Sequence, residues 1–286
     1  MTRAEAIRSA VQRLAAAGVA DPQRDARLLA RWAAGLDASA FLARSENPPS
    51  AEEAARFAAA VDARAARQPV AQITGERSFW GRSFRVTADT LDPRPETETL
   101  IEAALADGPA AQILDLGTGT GCLLVTLLAE WPSARGVGVD ISASALAVAA
   151  ANADRHGVAD RAAFVEDDWF TGIEGRFDVV VANPPYVAEA ERSALAPEVR
   201  DHEPPHALTP IDDPGGDGLG AYRRIAPDLA ERLSQGGRAY LEIGATQGAA
   251  ATAIFADAGF DDLAILTDLD GRDRVLCVNC VKNSAR

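Results

Sequence analysis

Ile113-Leu114-Asp115-Leu116-Gly117-Thr118-Gly119-Thr120-Gly121 is an apolar run that ends in a glycine-rich turn, and a second apolar stretch begins at Cys122. Such a pattern reads as a buried strand, a tight turn and a helix. Glycine allows positive φ and a close approach of backbone to ligand. The spacing is G-x-G-x-G, and Cys122 stands where the dinucleotide fingerprint needs its third glycine. Asp140 ends the next predicted strand, about twenty residues on, where a carboxylate can accept both hydroxyls of a ribose. With no pyrophosphate to cradle, the pair suits an adenosine with a short tail. A nicotinamide cofactor stays open on these two features alone.

Outward from this turn, strands and helices alternate to the end of the chain. Strands are predicted at Gln112–Leu116, Gly136–Asp140, Ala162–Glu166, Phe177–Ala182, Gly237–Ile243, Asp262–Thr267 and Arg274–Val281, with helices after Gly121, Ser142, Gly220 and Thr246. This alternation implies an α/β fold, a parallel sheet covered by helices on both faces. The stretch from Val187 to Asp217, rich in prolines, charges and glycines, reads as a long functional loop. Upstream, Val70 to Thr74 and Phe79 to Val86 read as short β runs of a hairpin linker spanning 70–92. Residues 1–69 read as helices only. Thr2 with Glu5 and Ser50 with Glu53 are capping boxes, and Asp21-Pro22 sets an N-cap before a proline at the first helical position. The expected division is 1–69 helical bundle, 70–92 linker and 93–286 catalytic domain.

Two further motifs fall at the same predicted sheet edge. Asp167-Asp168-Trp169-Phe170 follows the third strand, where an acid can meet an adenine amino group and an aromatic ring can cover the base. Asn183-Pro184-Pro185-Tyr186 follows the fourth strand. Two prolines fix the backbone and remove two N–H donors. The Asn183 amide oxygen and the Pro184 carbonyl can accept the two hydrogens of an –NH2 group, and Tyr186 offers a flat face for a planar amide or base. An amide nitrogen is a poor nucleophile, so two acceptors on a rigid frame would orient it and favour the charge that develops on it.

The glycine turn with Asp140 resembles the class I S-adenosylmethionine-dependent methyltransferases, and Asn183 to Tyr186 narrows the likeness to those that methylate amino groups. Thr74-Gly75-Glu76, Phe79-Trp80, Pro93-Arg94-Pro95-Glu96-Thr97-Glu98, Glu198-Val199-Arg200, Glu203-Pro204 and Glu242-Ile243-Gly244 are similar to the release-factor glutamine methyltransferases, the HemK or PrmC family. The resemblance implies a Rossmann-like, mostly parallel seven-stranded sheet with a small N-terminal helical domain. It implies methyl transfer from S-adenosyl-L-methionine, giving S-adenosyl-L-homocysteine, to the glutamine of a Gly-Gly-Gln motif in class-1 peptide-chain release factors. By the same resemblance, Asn183, Pro184, Pro185 and Tyr186 hold the glutamine amide. Gly117, Thr118, Gly119, Thr120 and Gly121 wrap the methionine part, Asp140 takes the ribose, Asp168 and Trp169 border the adenine, and Asn183 also meets the cofactor. The segment Pro93 to Glu98 would close over the cofactor. Asp92 departs from the family, where many members carry an aliphatic residue.

Composition restricts the alternatives. The net charge is −14, and proteins that hold duplex DNA or RNA through its phosphates need a basic face, so no direct nucleic-acid partner is expected. An adenine or cytosine methyltransferase acting on nucleic acid is thereby disfavoured, and a glutamine methyltransferase of a ribosomal protein is the nearer alternative. No apolar run approaches the ~20 residues of a membrane helix, and the charged N-terminus is unlike a targeting signal, so a cytoplasmic protein is expected. A monomer is the working expectation, which no feature of the sequence fixes. Cys122, Cys277 and Cys280 are too few for a disulfide framework, and Cys277 with Cys280 lacks a second half for a metal site.

Overall fold

In the computed structural model, which describes residues 1–279, the chain divides into two units. The first comprises Met1–Glu76 and Ala196–His202. Its helices are α1 (Arg3–Ala16), α2 (Pro22–Ala34), α3 (Ala38–Ala43), α4 (Ala51–Ala65) and α5 (Val70–Thr74). Thr2 and Glu5 form the reciprocal capping box at α1, and Asp21 caps α2. At α4 only half the expected box forms. Ser50 accepts from the Glu53 N–H, but both Glu53 carboxylate oxygens are taken by Arg3 at 2.6 Å. Ala10, Leu14, Val19, Ala26 and Val61 make the core of this unit.

Three further expectations fail in detail. Val70 to Thr74 is helical, not extended: Pro69 precedes its first turn, the Thr74 hydroxyl bonds back to the Val70 carbonyl, and left-handed Gly75 ends it. The run Phe79 to Val86 is broken, because Trp80 and Gly81 take φ of 48° and 68° and turn β1 (Glu76–Phe79) back on β2 (Arg82–Arg85). Paired positive φ values suit a two-residue hairpin. The stretch from Val187 to Asp217 holds a 3-10 segment at Glu189–Ala194 and short helices at Pro197–His202 and Pro205–Leu208. Proline opens each helix, where its missing N–H goes unused.

The second unit comprises Arg77–Leu195 and the described residues from Glu203. After α6 (Glu98–Ala106) it alternates β3 (Gln112–Leu116), α7 (Cys122–Glu130), β4 (Arg135–Asp140), α8 (Ala143–Arg155), β5 (Ala162–Glu166) and β6 (Phe177–Ala182). Then come the helix Gly220–Arg232, β7 (Leu233–Glu242), the helix Gly248–Asp257, β8 (Asp262–Thr267) and β9 (Asp273–Asn279). The seven-stranded sheet has the order β5-β4-β3-β6-β7-β9-β8, and β9 runs against its neighbours. Cys280 and Val281, read as the end of this strand, lie outside the described residues. Strand alternation feeds two cores: Ile113, Val179 and Val181 face one, Leu114 and Val180 the other. No described helix is long and apolar enough to cross a membrane.

The strand order reverses between β3 and β6, and ligands of open α/β sheets bind at the carboxyl ends of strands beside such a switch point. The glycine turn, Asp140, Asp167 and Asn183 each follow or end one of these strands at that edge.

Candidate active site

The glycine turn is left-handed at all three glycines, with φ of 69° at Gly117, 53° at Gly119 and 76° at Gly121. Gly117 and Gly119 line a pocket, and a Cβ on either would make only an ordinary van der Waals contact, at 3.9 Å, with its nearest protein atom. Gly121 serves packing instead. Its Cβ would meet that of Ala149 at 3.1 Å, so the glycine lets α7 and α8 approach. Thr118 and Thr120 also line the pocket and are buried.

Asp140 ends β4 with both carboxylate oxygens already oriented. Oδ2 accepts from the Gly119 N–H at 2.9 Å and Oδ1 from the Ser142 N–H at 3.0 Å. Burial raises its pKa, and these two N–H groups oppose the shift. Each oxygen keeps lone-pair capacity for a further donor. Asp168 and Trp169 line the same pocket. Asp168 is not free to serve an incoming amino group alone, because Arg224 Nη2 lies 2.6 Å from its Oδ2. Trp169 holds φ of 59°, a strained conformation for a bulky residue. That turn brings its ring to 3.9 Å from where a Gly117 Cβ would stand.

Asn183 and Pro185 line the pocket, whereas Pro184, Tyr186 and Gly121 are not among its walls. The Tyr186 ring packs against the second core, and its hydroxyl donates to Glu242 Oε1 at 3.3 Å. Its carbonyl accepts from Gln247 Nε2 at 2.9 Å, which braces the turn after the prolines. Burial pushes the Tyr186 phenol well above its ordinary range, so it stays protonated.

The segment Pro93 to Glu98 contributes Pro93, Arg94 and Thr97 to the pocket. Arg94 Nη2 grips both oxygens of buried Glu203 at 2.7 and 2.6 Å. Burial pushes Glu203 up to about 7 against the pull of Arg94. Asp92 joins this group, 3.6 Å from Arg77 and 4.0 Å from Arg94, so its departure from the family pattern is matched by two guanidinium groups. Glu98 accepts from the Trp80 N–H at 2.7 Å.

Sequence reasoning gave no role to Asp115, Arg224, Glu242 or His206. Asp115 is fully buried beneath the glycine turn. Its Oδ2 accepts from the Thr118 hydroxyl at 2.7 Å and the Leu124 N–H at 3.2 Å, while Oδ1 has no partner. Burial raises its carboxyl to about 7. A lone acid inside an apolar strand was the available signal for Asp115 and for Glu242. Nothing local marks Arg224 or His206, which reach the pocket from the long stretch and the helix after it.

This arrangement resembles known proteins. Residues 5–75 match the model of the PrmC N-terminal domain, and residues 87–200 match that of the methyltransferase small domain. A release factor glutamine methyltransferase of Cereibacter sphaeroides is 56% identical over 276 residues, covering 96% of this chain and 98% of the relative. One of Agrobacterium fabrum is 44% identical over 275 residues, covering 94% of each. Among solved structures, a methyltransferase from Pyrococcus furiosus superposes with a TM-score of 0.54 at 13% identity, covering 71% of this chain and 91% of that one, a likeness of fold.

Proposed function

We propose that this chain, which belongs to the release factor glutamine methyltransferases, transfers a methyl group from S-adenosyl-L-methionine to the side-chain amide nitrogen of the glutamine in the Gly-Gly-Gln motif of class-1 release factors. The observation that carries the reading is the opening of Asn183 onto the pocket that Gly117, Gly119 and Asp140 also line. The residues fit the cofactor: glycines that leave room for its tail, a pre-oriented carboxylate for ribose hydroxyls, and the Trp169 ring to border the adenine. Bound S-adenosylmethionine supplies a methyl on a sulfonium centre, whose carbon–sulfur bond breaks with the electron pair left on sulfur as the amide nitrogen takes the methyl.

The chain's own groups position that nitrogen. The Asn183 amide oxygen and the Pro184 carbonyl accept the two amide hydrogens and favour positive charge developing there. The nitrogen becomes acidic as it is methylated and loses one hydrogen to solvent without a strong base. Since the chemistry lies in the second unit, the helical unit recognises the folded factor, in the cytoplasm where termination takes place. The test is incubation with labelled cofactor and purified release factor, followed by mass spectrometry of the Gly-Gly-Gln peptide. A methylated glutamine there is expected. An unmodified peptide, or label found only on a ribosomal protein or nucleic acid, would overturn the reading.

A further inference from the structure

One side chain, Thr97, connects Asn183 to a buried acid, Glu242. Asn183 Nδ2 lies 3.3 Å from Thr97 Oγ1, and Thr97 Oγ1 lies 2.5 Å from Glu242 Oε2. Thr97 and Glu242 are 2% and 1% exposed, so water does not compete for these bonds. The other Glu242 oxygen takes the Tyr186 hydroxyl and lies 3.9 Å from Arg274 Nη1. The backbone carbonyl of Glu242 takes the hydroxyl of Tyr222 at 2.8 Å.

A threonine hydroxyl has one hydrogen. Burial raises the Glu242 carboxyl, while the Thr97 hydroxyl, Arg274 and the Tyr186 hydroxyl favour its ionised form. Ionised and 2.5 Å from Thr97 Oγ1, it holds the threonine hydrogen. Toward Asn183 the Thr97 oxygen can then only accept, so the asparagine must present its NH2 and turn its carbonyl oxygen the other way. We infer that Glu242, acting through Thr97, fixes the amide orientation of Asn183 so that its oxygen, not its nitrogen, meets the substrate amide. Both are positioning residues, and the inference rests on the proposed methylation of a glutamine amide. Flipped, Asn183 would oppose its own NH2 to that of the substrate, replacing an acceptor by a donor where positive charge develops.

Glu242→Gln is the sharpest variant. With Arg274 and Tyr186 on one side, the glutamine carbonyl turns toward them and its NH2 toward Thr97. The threonine hydrogen is then released to Asn183, and the relay reverses. Thr97→Val removes the hydroxyl at constant shape, and Thr97→Ser restores it.

Removing one transition-state donor or acceptor lowers kcat ~10²–10³-fold. Because the Asn183 side chain remains, a fall of about tenfold to a hundredfold is expected for Glu242→Gln and Thr97→Val. KM for release factor and calorimetric affinity for the cofactor should stay within about threefold, and Thr97→Ser should recover most of kcat. A second readout is the Asn183 side-chain NH2 signal in asparagine-labelled protein, assigned by its loss in Asn183→Ala. Its hydrogens should exchange with solvent slowly in the wild type and in Thr97→Ser, and faster in Thr97→Val. Wild-type kcat in Thr97→Val, or a Thr97→Ser variant as slow as Thr97→Val, would overturn the relay while wild-type methylation stood. Wild-type protein that leaves the glutamine unmethylated would instead overturn the function on which the relay rests.

Discussion

Arg64 and Glu198, 134 positions apart, are joined by a hydrogen bond of 2.8 Å from Arg64 Nη2 to Glu198 Oε1. Arg67 Nη2 holds the other carboxylate oxygen at 2.6 Å, and Arg64 Nε reaches Asp25 at 2.7 Å. This ion network makes Ala196–His202 part of the helical unit, although the chain reaches that segment only after the Asn183 turn. Burial raises the Glu198 carboxyl, and the bonds from Arg67 and Arg64 overcome this and hold it down at about 2. A depressed folded pKa contributes stability above the unfolded value, near ~4.3, that is lost as pH falls toward 2.

Glu198→Gln should therefore destabilise the protein at pH 7 by about 2 kcal/mol, the scale of a hydrogen bond to a charged group. The loss should shrink as pH is lowered from 4 toward 2. Denaturant midpoints at several pH values measure both. Identical midpoints for variant and wild type throughout would mean the pair adds nothing net.

Asp140 should act mainly on the cofactor. Asp140→Ala removes two acceptors, each worth ~1.5–3 kcal/mol when charged, so calorimetry should show affinity weakened by at least about tenfold. Asp140→Asn should be nearly as damaging. Both oxygens face backbone N–H groups, so an NH2 at either position opposes a donor. Full affinity in Asp140→Asn would remove the ribose assignment.

The buried acid under the glycine turn gives the opposite pH dependence. Asp115 has its carboxyl raised to about 7, above an unfolded value near ~3.9, so folding favours its protonated form. Its contribution to stability is full below ~3.9, declines as pH rises from there and is lost by about 7. Asp115→Asn should flatten the fall in melting temperature between about pH 4 and pH 7. A variant whose slope matches wild type would show that Asp115 does not titrate in that range.

On the proposed role of its amide oxygen as an acceptor in the transition state, Asn183→Ala should reduce turnover by ~10²–10³-fold, or ~2.7–4 kcal/mol. Cofactor affinity should change little. Affinity lost in proportion to activity would instead make Asn183 a cofactor ligand alone.

The sequence was most legible where the signal was local. The continuous apolar run Val179, Val180 and Val181 fits a strand buried on both faces, and Thr2 and Asp21 announced helix starts. The edge shared by the glycine turn, Asp140 and Asn183 followed from topology alone. Pairings across long separations left no local trace. Thr97 and Glu242 stand 145 positions apart, and neither spacing nor periodicity ties them to Asn183. The same holds for Glu53, whose capping role was displaced by Arg3 from 50 positions away. Val70 to Thr74 looked extended because β-branched residues favour strands, yet one turn between Pro69 and Gly75 decided otherwise.

The helical unit provides the last test. A tripeptide offers few contacts, so binding energy from remote surfaces is needed to hold the reacting amide in place. The helices carry none of the pocket, and their structural investment lies in caps, a small core and the Glu198 network. Deleting residues 1–67 removes Arg64 and Arg67, so the truncated chain should also carry Glu198→Gln to avoid an unpaired carboxylate. Methylation of intact release factor is then compared with that of a short Gly-Gly-Gln peptide. Calorimetry should find cofactor affinity close to wild type. The preference for the intact factor should collapse, because kcat/KM falls for the folded substrate and hardly changes for the peptide. A truncated enzyme that binds cofactor and keeps its full preference would sink the docking role and leave the helices a stabilising function only.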